Sequence, residues 1–145
     1  MRFLRDMLHH AYYWRERTPD EEPGPVSRYV KGWGRPGDTA LIAVEEAFPV
    51  GAGWYRSFSR DQPGYGFVDE HTPELTIAVV PSRRNRGIGE ALLTALCERA
   101  RAEGNRAISL SVERDNEPLL TFYEKHGFEK VAEHHGDTLT LLRHL

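Results

Sequence analysis

The pattern of apolar and polar positions is clearest between residues 74 and 112. Residues 74–80 are nearly all apolar after Glu74, as expected of a strand covered on both faces. Pro81 ends this strand, because proline cannot donate to a sheet ladder. Apolar residues then recur at helical spacing from Ile88 until Gly104, a typical helix C-cap. Residues 107–112 alternate Ile, Leu and Val with Ala and Ser, which indicates a strand. The pattern predicts a right-handed, parallel strand–helix–strand crossover.

The remaining pattern surrounds this unit with hairpins and short helices. We predict helices over residues 3–15, 26–32 and 117–126, strands over 39–44, 50–58, 128–133 and 138–142, turns at 45–49 and 135–137, and a long polar loop over 59–73. Hairpins are antiparallel and the crossover is parallel. The expected fold is therefore α/β of the α+β type: a mixed, mostly antiparallel sheet flanked by helices.

Length and composition fit one soluble domain. The chain has 145 residues and a net charge of −3, and this charge argues against a general nucleic-acid binder. Cys97 is the sole cysteine, so no disulfide can form within the chain, and a reduced, cytoplasmic setting is the simplest expectation. We find neither a signal peptide nor an apolar stretch long enough for a membrane span. We expect a single domain over residues 1–145, with variable helices in 1–38 and the sheet and binding site in 39–145.

A basic, glycine-containing loop joins the predicted strand to the helix that begins near residue 88. Arg83, Arg84 and Arg86 precede Gly87 and Gly89. A helix N-terminus has unpaired N–H groups and a partial positive charge, and glycine lets a phosphate approach the backbone closely. Local physics therefore predicts an anion site; the alternative is a basic turn without a ligand.

The loop departs from two common nucleotide-binding motifs. A dinucleotide fingerprint needs a third glycine where Leu92 stands, and the Gly-Lys-Ser/Thr ending of a Walker loop is absent. A nucleotide-binding protein of another fold remains an alternative at this point.

Two segments resemble the GNAT N-acetyltransferase superfamily. Residues 80–89 are similar to its motif A, with Arg84, Gly87 and Gly89 at the motif positions. Residues 116–128 are similar to its Asn-to-Tyr-x-x-x-Gly-Phe segment, with the tyrosine at Tyr123. The resemblance covers about residues 39–133. It implies direct transfer of an acetyl group from acetyl-CoA to a primary amine of a small molecule or a protein.

The resemblance also implies where acetyl-CoA binds. Backbone N–H groups of residues 84–89 would hold the pyrophosphate, residues 77–80 would pair with the pantetheine arm, and a nearby backbone N–H would polarise the thioester carbonyl. Asn116 would hydrogen-bond the cofactor, although it is equally readable as a helix N-cap. The cofactor-binding set is Ile77, Ala78, Val79, Val80, Arg84, Asn85, Arg86, Gly87, Ile88, Gly89, Asn116 and Tyr123.

Tyr123 and Glu74 are the expected catalytic residues. By the resemblance, Tyr123 would protonate the departing thiolate, since a phenol and a thiol have pKa values of about 10 and 8.5; the alternative is a core aromatic. Glu74 is the first candidate for the base, and the alternative there is a solvated carboxylate at a strand end. Asp69, Glu70 and His71 in the preceding loop, or a water, are other candidates, and with Glu74 they suggest an acidic rim that attracts a cationic substrate.

Other expectations concern partners. A non-catalytic acyl-CoA-binding or sensor domain of the same fold is the competing function. We predict no metal, since His9 and His10 have no partner at ligand spacing, and we expect neither a nucleic acid nor a membrane as a partner. Many members of the superfamily dimerise, so a homodimer is one expectation of the resemblance.

Several aromatic residues of the N-terminal part and the first hairpin could line an acceptor pocket, but most read as core: Tyr12, Tyr13, Trp14, Tyr29, Trp33, Trp54 and Tyr55.

Overall fold

A computed structural model describes residues 29, 33–84, 86–134 and 138–145. The helices predicted over residues 3–15 and 26–32, the turn at 135–137 and the cofactor candidate Asn85 lie outside the described residues.

A mixed sheet of six strands forms the centre of the described part. The spatial order of the strands is β1-β2-β3-β4-β6-β5, and the β3–β4 pair is parallel whereas the other neighbouring pairs are antiparallel. This confirms the predicted mixed sheet and its parallel crossover. The strands are β1 (Thr39–Glu45), β2 (Phe48–Arg56), β3 (Glu74–Val79), β4 (Ala107–Glu113), β5 (Glu129–His134) and β6 (Thr138–His144).

Two helices follow the parallel strands. A 3-10 turn at Pro81–Arg83 leads from β3 towards α1 (Ile88–Ala102), and α2 (Glu117–Lys125) follows β4. Within the described residues, the predicted strands and the two predicted helices after β3 and β4 are confirmed, with ends that differ by one or two residues. Within the described ranges, no helix is both long and apolar enough to cross a membrane.

The first hairpin turns more tightly than its sequence predicts. The turn takes two residues, Glu46 and Ala47, both with positive φ, and pairing resumes at Phe48. The predicted turn at 45–49 is therefore wrong in extent. A register shift after Ala43 lets Pro49 lie opposite Val44, so the ladder accommodates a residue that the sequence reading placed in the turn.

Each face of the sheet buries its own apolar cluster. Alternate residues of β3 and β4, such as Leu75 and Leu110, pack with Leu93 and Leu96 of α1. The residues in between face the opposite side, because side chains alternate along a strand. There the cluster consists of Tyr29, Ala52, Trp54, Phe58 and Ala78.

A buried ion pair anchors the end of β2. Arg56 is fully buried, and its Nη2 and Nε lie 2.7 Å and 3.0 Å from the two carboxylate oxygens of Asp38. Backbone N–H groups of Gly34 and Arg35 donate to the same carboxylate, and the Trp33 ring lies 5.2 Å from the guanidinium. This bidentate pair ties the segment before β1 to the centre of the sheet.

Removing Asp38 should destabilise the fold strongly. We expect Asp38→Ala to lower the free energy of unfolding by about 3–5 kcal/mol, because it leaves a buried guanidinium without its carboxylate. Urea unfolding followed by circular dichroism measures this. Arg114→Ala is the matched control: Arg114 pairs with Glu133 at 2.8 Å where both side chains are 47% exposed, so little change is expected. Equal effects from the two variants would contradict the assignment.

Candidate active site

The central feature of the site is a separation of the two parallel strands. β3 and β4 pair at a single position, Glu74 opposite Ser109, whereas β2 and β3 pair over six positions. Beyond this point, the facing edges of β3 and β4 leave the backbone N–H and C=O groups that point towards each other without strand partners. The result is a cleft between the carboxyl ends of two parallel strands, where ligands of α/β folds commonly bind.

The helix that follows β3 presents its N-terminus at the same end of the sheet. Gly87 is the N-cap of α1, with φ 82°, a left-handed conformation that suits glycine. Among the residues that the structure describes, no side chain caps the first turn of α1. Its backbone N–H groups are therefore available for an anion, as the sequence predicts.

The arginines of this loop are held in two different ways. Arg83 Nε and Arg86 Nη1 each lie 3.5 Å from Oε1 of Glu45, at the end of β1. Arg84 Nε donates to the carbonyl of Val79 at 3.2 Å. A single carboxylate thus faces two guanidinium groups, which leaves the loop with a net positive charge for a phosphate.

The second helix, α2, carries Tyr123, and Asn116 is its N-cap. Tyr123 is 5% exposed and packs edge-on between Phe122 and Phe128, with ring centroids 5.1 Å and 5.4 Å away. Burial raises the pKa of its hydroxyl, and the nearby Cys97 acts in the same direction. Asn116 caps α2 by accepting a hydrogen bond from the Leu119 N–H at 3.4 Å. Tyr123 is therefore a core aromatic and Asn116 a helix N-cap. Neither role excludes a second one in catalysis or in cofactor binding.

Glu74 is a buried carboxyl group, not a solvated one. It is 1% exposed, so its alternative reading as a solvated strand-end carboxylate is wrong, and it does not belong to an exposed acidic rim. Burial raises the pKa of Glu74 to about 8, although hydrogen bonds from the Tyr29 hydroxyl and from the Gly66 N–H (3.1 Å) oppose that rise. A carboxyl group with such a pKa exchanges its proton near neutral pH.

The loop before β3 closes over Glu74 at two glycines. A Cβ at Gly64 would lie 2.4 Å from Glu74 Oε1, and one at Gly66 would lie 2.6 Å from the carbonyl carbon of Leu110. The Gly66 C=O also accepts a hydrogen bond from Ser109 Oγ at 2.8 Å. Gly66 therefore bridges β3 and β4 where they begin to separate.

Glu74 and Tyr123 lie on opposite faces of the sheet. Glu74 contacts Tyr29 on the loop side, whereas Tyr123 packs with Leu75 and Leu110 on the helix side. The cleft between β3 and β4 runs between the two faces.

The two other carboxylates proposed as the base, Asp69 and Glu70, accept hydrogen bonds from backbone N–H groups of the loop before β3. The carboxylate of Asp69 accepts the His71 N–H at 2.8 Å, and that of Glu70 accepts the Arg60 N–H at 3.3 Å. Glu70 and His71 are exposed. Among the described residues, no group of three or more histidine, cysteine, aspartate or glutamate side chains is arranged to hold a metal ion.

Sequence reasoning did not identify Gly64, Gly66 and Ser109 as parts of the site, and it named Tyr29 only among aromatic residues that could line an acceptor pocket or belong to the core. Tyr29 hydrogen-bonds a residue 45 positions away, and both glycines act through close packing on distant atoms. The available signal was weak: two glycines in a polar loop, and serines alternating with apolar residues in a strand.

Comparison with known proteins identifies the family. Residues 2–128 match the sequence profile of the acetyltransferase (GNAT) family. The chain belongs to this family. It is 40% identical over 76 residues to mycothiol acetyltransferase of Corynebacterium glutamicum (50% of this chain), and 34% identical over 95 residues to L-methionine sulfoximine/L-methionine sulfone acetyltransferase of Pseudomonas aeruginosa (66% of this chain).

A solved structure confirms the GNAT fold. A phosphinothricin acetyltransferase from Sinorhizobium meliloti in complex with acetyl-CoA superposes with a TM-score of 0.61 at 23% identity, covering 74% of this chain and 61% of that one. The chain spans 26% of the Corynebacterium relative and 53% of the Pseudomonas relative.

The raised pKa of Glu74 should make the stability of this GNAT domain depend on pH. Between its ordinary value near 4.5 and about 8, the folded carboxyl keeps a proton that the unfolded one releases. The free energy of unfolding should therefore fall as pH rises through this window, by at most about 1.4 kcal/mol per pH unit. Glu74→Gln should remove this contribution, and exposed Glu70→Gln should not. Urea unfolding at several pH values measures it; identical slopes in all three proteins would contradict the assignment.

Proposed function

We propose that this GNAT domain transfers the acetyl group of acetyl-CoA to a primary amine. One observation carries the proposal: β3 and β4 separate after a single paired position, beside the N-terminus of α1. The competing reading is an acyl-CoA-binding or sensor domain without turnover. A buried carboxyl, Glu74, at the start of this separation and a buried phenol, Tyr123, on the helix side of the sheet favour catalysis.

The donor half of the site suits coenzyme A. We assign the pyrophosphate to the backbone N–H groups of α1, supported by Arg84 and Arg86. The pantetheine amides fit the unpaired edge of β3 from Ile77 to Val80, since a peptide-like arm can complete a ladder that the two strands leave open. The bound donor supplies an activated acyl group on its thioester.

Glu74 accepts a proton from the acceptor amine. A lysine-like amine has a pKa of about 10.4 and is mostly protonated at neutral pH, so the nucleophile must lose a proton before it attacks. Since the pKa of Glu74 is about 8, its carboxylate is a stronger base than an exposed glutamate. The neutral nitrogen then bonds to the carbonyl carbon, the carbon–sulfur bond breaks, and the nitrogen loses a second proton, which balances the proton taken up by the leaving thiolate.

Tyr123 stabilises the departing sulfur. Its raised pKa keeps the phenol protonated across the neutral range, so an O–H is present as thiolate charge develops. The same rise makes full proton transfer to a thiol of pKa about 8.5 less favourable than a comparison with an ordinary phenol suggests. We therefore assign to Tyr123 chiefly the hydrogen bond to sulfur, followed by protonation of the thiolate.

Replacing Tyr123 with Phe tests this role. The ring packing with Phe122 and Phe128 stays, so we expect the melting temperature to be kept. Loss of the hydroxyl should lower kcat about 100-fold or more while the Kd for acetyl-CoA changes little. Steady-state kinetics with a thiol reagent and calorimetry provide the two values. Unchanged kcat would remove Tyr123 from the chemistry.

The pH–rate profile tests Glu74. Wild-type kcat/KM should rise about tenfold per pH unit, as expected for one ionising group, up to about pH 8, where the carboxyl of Glu74 becomes ionised. Glu74→Gln should lower kcat/KM and abolish this rise, so that the remaining pH dependence comes from titration of the amine. Asp69→Asn is the control and should keep the wild-type profile. A profile that survives Glu74→Gln would assign the base to another group or to water.

Binding and an amine panel test the proposed function as a whole. Calorimetry should detect acetyl-CoA and neither NAD nor ATP. Coenzyme A release should then be followed with L-methionine sulfone, spermidine, free amino acids and a peptide with a free N-terminus; the first follows the name of the Pseudomonas relative. Binding without release for any amine would favour the sensor reading, and absence of binding would overturn both readings.

A further inference from the structure

The loop-side face of β3 and β4 carries two polar pairs, one above the other. Glu74 and Ser109 form the first pair, at the single point where the strands are hydrogen-bonded. Thr76 and Ser111 lie two residues further along the same strands and, by alternation, on the same face. The second pair therefore stands where the strands have separated, at the border of the cleft.

The protein itself satisfies the first pair. The Gly66 N–H donates to Glu74, the Gly66 C=O accepts from Ser109 Oγ, and the Tyr29 hydroxyl donates to Glu74. The loop thus closes this level of the cleft with hydrogen bonds to both strands.

The second pair has no such partners. Within the described residues, Thr76 Oγ1 and Ser111 Oγ are buried and make no hydrogen bond, and Thr76 is 5% exposed. Buried hydroxyl groups without partners cost folding free energy, and native structures contain few of them. Two such groups at equivalent positions of the diverging strands indicate that a ligand pairs with them.

We infer that Thr76 and Ser111, together with Glu74, form the cradle that holds the amino group of the acceptor; this inference rests on the proposed function. A primary ammonium group has three N–H donors, and the cradle offers one carboxylate and two hydroxyl oxygens as acceptors. Once Glu74 has taken one proton, the two remaining N–H groups stay on the hydroxyls. The cradle favours primary amines over their N-methylated forms, which have one donor fewer.

Two substitutions test the cradle: Thr76→Val, which keeps the shape, and Ser111→Ala. The probe is the amine of the panel with the highest kcat/KM, compared with its N-methyl derivative. Each variant should raise the KM for the primary amine about 10-fold, as expected for one lost hydrogen bond, and should reduce the preference over the N-methyl amine. The Kd for acetyl-CoA should stay at the wild-type value. The melting temperature should not fall, because the removed hydroxyl has no partner to lose.

Thr39→Val is the matched control. Thr39 is also a buried strand threonine, 8% exposed, but its hydroxyl donates to Glu103 at 3.0 Å. Its loss should lower the melting temperature and leave the KM for the amine unchanged.

The outcomes separate this inference from the proposed function. If the wild-type protein acetylates the probe but Thr76→Val and Ser111→Ala keep its KM, the cradle is wrong and the function stands. A melting temperature that falls in Thr76→Val as it does in Thr39→Val would mean that the Thr76 hydroxyl has a protein partner, which would also overturn the cradle. If no amine of the panel is acetylated, both proposals fail.

Discussion

The active-site geometry depends on the loss of one hydrogen-bonded ladder. β3 and β4 begin as an ordinary parallel pair at Glu74 and Ser109 and then separate. An intact ladder would pair the backbone N–H and C=O groups on the facing edges of both strands and leave no room for a peptide-like arm. The separation is sustained from both faces: helices pack on one side, and Gly66 bridges the strands on the other. The cleft is therefore a property of the whole sheet.

Much of the donor half could be predicted from sequence because its signals are local. Proline ends β3, helical spacing defines α1, and the glycines stand between them, so the proposed phosphate loop can be recognised within about thirty residues. Tyr123 is similarly fixed by its distance from Gly127 and Phe128. Helices and strands with strong hydrophobic periodicity, and the proline and glycine residues that end them, are the part of a fold that a single sequence encodes most directly.

The acceptor half could not be predicted because its determinants act over long distances. Glu74 packs against Tyr29 and the Gly64–Gly66 turn, which the sequence read as a core aromatic and part of a polar loop. Burial raises the pKa of Glu74, and the hydrogen bonds from Tyr29 and Gly66 oppose that rise. The alternation of serine with apolar residues in β4 predicted a strand. It did not reveal that Ser109 hydrogen-bonds the loop while Ser111 makes no hydrogen bond to any residue that the structure describes.

The packing of Tyr123 has a consequence for how such a site can change over time. Its ring is held between Phe122 and Phe128, so its position is fixed before any ligand arrives and little conformational entropy remains to be lost on binding. The acceptor side is covered instead by a loop that is constrained chiefly where Gly64 and Gly66 touch the strands. The rigid half can keep one donor while the loop accumulates substitutions, and a new acceptor specificity need not disturb the hydrophobic core.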